Sequence, residues 1–209
     1  MWDERFDRED YVYGEQPNTF LAEQWQQLEL AANRGGVLCL AEGEGRNAVY
    51  LATLGHDVTC VDLSEVGLKK AKLLADKHGV SINTEKADLA TYETKANFYQ
   101  AVVMIFAHTP PAIRRRSLNQ ARKALGRDGY LILEGYSAAQ IGRGTGGPGT
   151  ADMMFDEQEL RTVFAHDEIL LCREIKRDIH EGEFHSGIGS VVQFVARKVE
   201  LGSSEAELG

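Results

Sequence analysis

The chain has 209 residues, 43% of them hydrophobic, with 21 glycines, four prolines and a formal net charge of −9. That length supports one substantial core and leaves little for a second domain. The acidic balance repels a phosphate backbone unless a strong local basic patch offsets it.

The one dense basic run, Arg114-Arg115-Arg116, falls on a predicted helix and reads as a solvated face. No apolar run approaches ~18 residues, the length of a membrane span. The acidic, aromatic opening Met1-Trp2-Asp3-Glu4-Arg5-Phe6 is unlike a signal peptide. Cys39, Cys60 and Cys172 lie in apolar runs without C-x-x-C spacing, which reads as buried, reduced thiols of a cytoplasmic protein.

In chain order, the first predicted element is a helix at 18–33, where Phe20, Leu21, Trp25, Leu28 and Leu30 recur at near-helical spacing. Gly35-Gly36 ends it. A short apolar strand follows at 37–41, then a glycine turn and a helix at 47–54. The strand at 56–63 leads to Ser64, which reads as the N-cap before a helix at 68–78. Strands at 81–87 and 101–106, a helix at 112–125 and a strand at 130–134 come next. A glycine-rich loop covers 142–149, and Asp156 caps a helix at 157–164. Two longer strands, 168–178 and 190–199, close the chain. Their connection is too short for a crossover helix, so they are antiparallel. This alternation predicts a single doubly wound, Rossmann-like α/β domain over 1–200, with 201–209 as a disordered tail.

Chemistry concentrates after the first strand, in Glu42-Gly43-Glu44-Gly45-Arg46-Asn47. Gly43 and Gly45 let the backbone turn sharply between a buried strand and a helix, a context suited to a nucleotide-type cofactor. Asp62 ends the second strand, where a carboxylate accepts both hydroxyls of a ribose. Asp88 ends the third, placed for an adenine amine, with the Leu89 N–H beside it. Each acid alone is a cap or a turn residue; together they line the sheet edge where ligands of open α/β sheets bind. NAD fits Gly43, Gly45, Ala48 and Asp62. Glu42 and Glu44, however, would crowd its pyrophosphate, whereas S-adenosylmethionine (SAM) has no phosphate and carries a positive sulfonium and ammonium.

The run Val37-Leu38-Cys39-Leu40-Ala41-Glu42-Gly43-Glu44-Gly45-Arg46-Asn47-Ala48 resembles the SAM-binding motif of class I methyltransferases, in particular the small bacterial enzymes related to tellurite-resistance and thiopurine methyltransferases. Residues Trp2 to Phe6, Tyr11-Val12-Tyr13-Gly14 and Pro17-Asn18 resemble the N-terminal segment, within 1–20, that covers the cofactor in that group. Glu134-Gly135-Tyr136, the loop 144–148 and the ending from His180 to Lys198 are also similar. The resemblance implies a seven-stranded, mostly parallel sheet with an antiparallel C-terminal strand and helices on both faces. It implies SAM as cofactor and S-adenosylhomocysteine (SAH) as product. The cofactor contacts it implies are Tyr11, Tyr13, Glu42, Gly43, Glu44, Gly45, Arg46, Asn47, Asp62, Leu63, Ser64, Asp88, Leu89, Ile105 and Phe106. One departure stands out: the usual D-x-G-x-G-x-G has Cys39 and Ala41 in place of its first acid and first glycine, with Glu42 as the candidate replacement carboxylate.

SAM is already activated, so the protein mainly supplies position and electrostatics, and a base is needed only if the acceptor must lose a proton. No acid–base pair is evident, which suits a small, soft acceptor: a thiol, a chalcogen or another heteroatom nucleophile. After the fourth strand, Phe106-Ala107-His108-Thr109-Pro110-Pro111 lacks the Asn- or Asp-Pro-Pro-aromatic box of enzymes that methylate nucleobase amines, so no nucleic-acid partner is expected. His108 is the candidate base or substrate contact, with a pocket-wall role as its plainer reading. Tyr136 is the second catalytic candidate, with packing as its plainer reading.

The 142–149 loop is too glycine-rich to be rigid and suits a lid, where Arg143 would attract an anion. Tyr11 and Tyr13 would stack on adenine or close over the sulfonium. His180 and His185, with Glu181 and Glu183, have residue types that bind metals, but a polar turn explains them and no metal is expected. No membrane partner is expected, and the chain is read as a monomer or homodimer. A non-catalytic SAM- or SAH-binding module and an NAD-dependent oxidoreductase stay open as alternatives.

Overall fold

The computed structural model describes residues 2–199; the tail call at 201–209 lies outside them. Seven strands, β1 (Gly36–Leu40), β2 (Val58–Asp62), β3 (Asn83–Lys86), β4 (Tyr99–Ile105), β5 (Leu125–Tyr136), β6 (Glu168–His180) and β7 (Ser186–Arg197), form one sheet in the order β3-β2-β1-β4-β5-β7-β6. The first five are mutually parallel. β7 runs antiparallel between β5 and β6, as the antiparallel hairpin requires. This is the expected doubly wound, seven-stranded architecture.

Alternation along the central strands builds a core on each face. Leu38, Leu40, Val102 and Met104 pack toward α5 (Pro111–Ala124) and α6 (Glu157–Val163), through Leu118, Ala121 and Leu160. Val37, Cys39, Ala101 and Val103 pack toward α2 (Thr19–Gln27) and α3 (Arg46–Thr53), through Phe20, Leu21, Trp25 and Leu51. α4 (Glu65–Lys77) lies on that second face, with Leu68 in the same cluster and Leu74 against Val49. Strands buried on both faces must be continuously apolar, which is why β4 reads as an unbroken run.

Several boundaries differ from the sequence expectation for physical reasons. The first long helix stops at Gln27, because Glu29 takes a left-handed φ of 48° that breaks the helical path. β5 extends to Tyr136 because β7 pairs along it from Tyr130↔Arg197 to Tyr136↔Val191, carrying Glu134 and Tyr136 into the ladder. α4 begins at Glu65, one residue after Ser64, whose hydroxyl accepts from the Gly67 N–H. A short α1 (Trp2–Phe6), which has no sequence periodicity of its own, opens the chain.

The arginine run is not a solvated face. Arg114 is buried and joins α5 to α6, donating from Nε to Glu159 (2.6 Å) and from Nη1 to the Asp152 carbonyl (2.6 Å). Arg116 pairs with Glu93 at 2.5 Å, and only the Arg115 side chain is largely exposed. Cys39 and Cys60 are buried and Cys172 is half-buried. Among the described residues, no helix is long and apolar enough to cross a membrane.

Candidate active site

The carboxyl ends of β1, β2, β3 and β4 share one edge of the sheet, and the residues just beyond them build the site. Ala41, Gly43 and Gly45 all take left-handed φ (53°, 63° and 87°), which folds the turn tightly before α3. A Cβ on Gly45 would stand 2.4 Å from the Ala71 Cβ, so this glycine lets the turn sit directly on α4. Glu42 points at the start of α3. Its Oε1 accepts from the backbone N–H groups of Asn47 (2.9 Å) and Ala48 (2.8 Å), and burial pushes its carboxyl up to about 7 despite those bonds. The carboxylate offered by the sequence as a replacement for the missing acid therefore caps a helix.

Asp62 sits where β2 ends. Its Oδ2 accepts from the Gly43 N–H and its Oδ1 from the Ser64 N–H, both at 2.8 Å. Each oxygen keeps a second lone pair. Asp88, beyond β3, is exposed and accepts from the Ala90 N–H at 2.8 Å. Leu63 is 51% exposed between them, Leu89 is buried beneath, and Ile105 closes the core at the end of β4. Glu44, Arg46 and Asn47 turn inward. Glu44 takes the Val12 N–H (2.8 Å) and the Lys70 ammonium (2.5 Å), Arg46 reaches Glu181 (2.6 Å), and the Asn47 carbonyl oxygen takes the Asn18 N–H (2.9 Å).

Over this edge lies the N-terminal segment. Asp3 accepts from the Ser64 hydroxyl at 2.5 Å, and the Phe6 ring would stand 3.1 Å from a Cβ on Gly43. Lys70 on α4 donates to the carbonyls of Phe6 (3.3 Å), Arg8 (3.0 Å) and Asp10 (2.6 Å). Tyr11 is drawn to α4, its hydroxyl donating to the Lys70 carbonyl at 3.1 Å and its ring 4.9 Å from the Lys70 ammonium. Tyr13 goes the other way, into an aromatic cluster beyond β4.

That cluster is built from four elements. His185, on the turn between β6 and β7, has ring centroids 4.5 Å from Tyr13, 4.4 Å from Phe106 and 5.3 Å from Tyr136. The Phe106 ring lies tilted against Tyr136, with centroids 4.7 Å apart. His108 borders the cluster with both ring nitrogens engaged by backbone: Nε2 accepts from the Tyr136 N–H (3.0 Å), so the hydrogen sits on Nδ1 facing the Met153 carbonyl (3.0 Å). Burial lowers its basicity to about 4. His108 thus has no lone pair free for a proton and forms a wall. The Tyr136 hydroxyl donates to the Thr145 carbonyl (3.2 Å), and burial pushes its phenol up.

The glycine-rich loop folds back over the cluster, with Gly147 against the Tyr136 ring. It borders a cavity of about 390 Å³ together with Gln140, Phe184 and Ser186. The Arg143 Nε donates to the Ala139 carbonyl in the same loop.

The two histidines of the β6–β7 connection part company. His180 is exposed and pairs with Asp178 (2.9 Å), whereas His185 is only 7% exposed. A turn closed by the Glu181 N–H on the His185 carbonyl (2.8 Å) aims that ring inward. Sequence reasoning left Lys70 unmentioned, read His185 as part of a polar turn, and gave Phe6 and Asn18 only as part of the covering segment. No local period marks any of them.

Behind the cluster sits a buried polar network. Glu134, fully buried, accepts from Asn18 Nδ2 (2.8 Å), Gln193 Nε2 (2.6 Å) and both Nε and Nη2 of Arg177. Glu181 accepts from Arg46 (2.6 Å), Arg177 (2.8 Å) and Asn18 (2.9 Å). Burial alone would raise the Glu181 carboxyl; the guanidiniums of Arg46 and Arg177 outweigh it and hold the group low.

Carboxylates at strand ends under an aromatic roof, on this strand order, form a recognisable arrangement, and residues 37–129 match the family model described as a methyltransferase domain. The chain matches it over 93 of its 209 residues, a little under half. In sequence it is similar to the uncharacterized methyltransferase YbaJ of Bacillus subtilis (strain 168), 32% identical over 99 residues, which is 46% of this chain and 38% of that protein. It is also 32% identical over 89 residues to the tRNA 5-carboxymethoxyuridine methyltransferase of Escherichia coli (strain K12), covering 40% of this chain and 34% of that protein. The chain therefore spans little more than a third of the curated relatives it matches. TehB from Haemophilus influenzae shares the fold at a TM-score of 0.66 and 18% identity, over 85% of this chain and 61% of that one. The methyltransferase domain match stops at 129, so Tyr136, the glycine-rich loop and His185 all lie beyond it.

Proposed function

We propose that this chain transfers a methyl group from SAM to a small-molecule acceptor, a thiol, chalcogen or other heteroatom nucleophile. The observation that supports this most directly is the register of Asp62, Asp88 and Phe106 at the ends of β2, β3 and β4, beneath the roof formed by Phe6, Tyr13 and His185. The donor set suits SAM. Asp62 has lone pairs left for ribose hydroxyls, exposed Asp88 suits an adenine amine, and Leu63, Leu89 and Ile105 offer an apolar bed for the base. The aromatic cluster suits a sulfonium cation. When bound, SAM supplies a methyl group already activated by the positive sulfur. The chain's own residues orient it, exclude water and leave the acceptor side neutral.

The same geometry disfavours NAD. A diphosphate needs the N–H groups at the start of α3, and the Glu42 carboxylate already occupies two of them. It also disfavours nucleic acid. The net charge is −9, and Arg114 and Arg116 are spent on internal carboxylates. The likeness to a tRNA methyltransferase covers only 40% of this chain, and Tyr136, the glycine-rich loop and His185 lie beyond the domain match. The segment 2–18 acts as the cover that closes over the cofactor, tied down by Lys70 and Ser64.

Calorimetric titration with SAH, repeated with NAD, tests this reading. Micromolar SAH binding without NAD binding is expected, followed by SAH formation in an acceptor screen that begins with thiols. SAH binding with no methylation across a broad screen would point to a non-catalytic binding module. Nicotinamide binding without SAH binding would overturn the proposal.

A further inference from the structure

We propose that His185 meets the methyl acceptor directly, its Nδ1 receiving the hydrogen of an uncharged X–H group, a thiol or a hydroxyl. This rests on the methyltransferase reading above and supplies the acceptor side that reading leaves open.

His185 Nδ1 is sealed from solvent and has no hydrogen-bond partner, a costly condition for a buried nitrogen. Its ring lies among Tyr13, Phe106 and Tyr136, just past the carboxyl end of β4. The opposite edge of the ring, Cδ2, stands 3.0 Å from where a Cβ of Gly146 would be; Gly146 and Gly147 line the 390 Å³ cavity, His185 does not, and an acceptor reaches the ring only when this loop moves. A cavity of that size holds a small molecule. The other polar groups around the cluster are spoken for. His108 is bonded through both nitrogens, Tyr136 donates to Thr145, the Tyr13 hydroxyl accepts from Arg5, and Glu134, Glu181, Arg46 and Arg177 pair with one another. Within the aromatic cluster, the His185 ring is the polar group left for a ligand, with Nδ1 as its buried, unpartnered atom.

The groups facing His185 set the class of that ligand. Burial comes first and Arg46 second in suppressing its protonation, with His108 and Arg177 acting the same way and Glu181 opposing them; the ring titrates only at about 3. An imidazole that stays neutral, with its hydrogen on Nε2, offers Nδ1 as a lone pair. That lone pair suits an X–H donor and repels an oxyanion. During transfer the acceptor exchanges one proton for one methyl group. The proton passes to Nδ1 and leaves to solvent when the glycine-rich loop opens. The positive charge that arrives with the cofactor then stays within the aromatic cluster through the step.

The test uses protein with ¹⁵N-labelled histidine rings, saturated with SAH and titrated with benzenethiol and with phenol. The His185 signals are assigned by their loss in His185→Phe. The expected result is movement of the Nδ1 resonance from the free toward the hydrogen-bonded position with at least one probe, while the His108 nitrogens stay fixed. An unmoved Nδ1 with both probes would overturn the proposal, whether or not either probe is methylated. With SAM present, any probe that is methylated should be turned over about 10²-fold more slowly by His185→Phe, and partly rescued by His185→Asn, whose amide oxygen replaces the acceptor atom. Equal rates in wild type and His185→Phe would also overturn it. Failure of wild-type protein to bind SAH is a separate result that sinks the methyltransferase reading itself. His185→Asn keeps the comparison usable should His185→Phe fold poorly.

Discussion

Asp62 and Glu42 are carboxylates at or just beyond the ends of neighbouring parallel strands, and their fates differ. Asp62 keeps free lone pairs at the strand end, so Asp62→Ala should weaken SAH binding by about 1.5–3 kcal/mol, the scale for losing a charged acceptor. Calorimetry reads this directly, and unchanged affinity in a folded variant would mean the cofactor lies elsewhere. Glu42 is given over to the start of α3. Its folded-state titration, raised by burial to about 7, lies above the ordinary carboxylate value of 4.5. The folded protein therefore binds the extra proton between those values. The contribution of Glu42 to stability is fully present below about pH 4.5 and is lost as pH rises through about 7. Thermal melts of wild type and Glu42→Gln across that range should converge at the acid end and separate at the neutral end, with wild type the less favoured. Parallel curves would refute the assignment. Neither carboxylate's fate was visible locally: both are acids beside glycine or a strand end, and only the direction of the side chain separates a cap from a ligand group.

At the scale of elements, the N-terminal segment is held on α4 by one ammonium. Lys70 donates to three carbonyls of the segment and forms an ion pair with the Glu44 carboxylate, while 8% exposed. Lys70→Met removes all four contacts and leaves Glu44 buried without its cation, a loss of about 3–5 kcal/mol for a buried pair broken on one side. The segment can open without the sheet unfolding. Tryptic cleavage at Arg5 and Arg8 should thus accelerate strongly in the variant, and SAH should slow it in wild type. Cleavage unchanged by the mutation would show that Phe6 packing alone holds the cover. The helix–strand alternation was legible because periodicity is local. α1 was not, since five residues carry too short a period and gain their order by docking on Gly43 and Gly67.

Across the whole molecule, the network of Asn18, Arg46, Glu134, Arg177, Glu181 and Gln193 joins the cover, the glycine turn, β5 and the β6–β7 hairpin. Arg177→Met would leave buried Glu134 without a cation and Glu181 with Arg46 alone, and should cost about 3–5 kcal/mol in a denaturant titration. Adding Glu134→Gln should recover part of that loss, because it removes the charge left unpaired. A loss under about 1 kcal/mol for the single variant would mean water already screens the site. The amino-acid sequence by itself determined the order of strands and helices, the glycine turn and the acids at or just beyond the ends of β2 and β3, because patterns within a few residues govern each of these; the count of seven strands was implied by the family resemblance. Tertiary structure alone decided that Glu42 caps a helix, that Arg114 is buried, that both His108 nitrogens meet backbone groups and that His185 is buried in the aromatic cluster. Those outcomes depend on partners far along the chain, as with Arg46 and Glu181, 135 residues apart, and Asn18 and Glu181, 163 apart. Contacts at such separations leave no period in the sequence; they are fixed only when packing brings the elements together and every buried charge must find its counterpart.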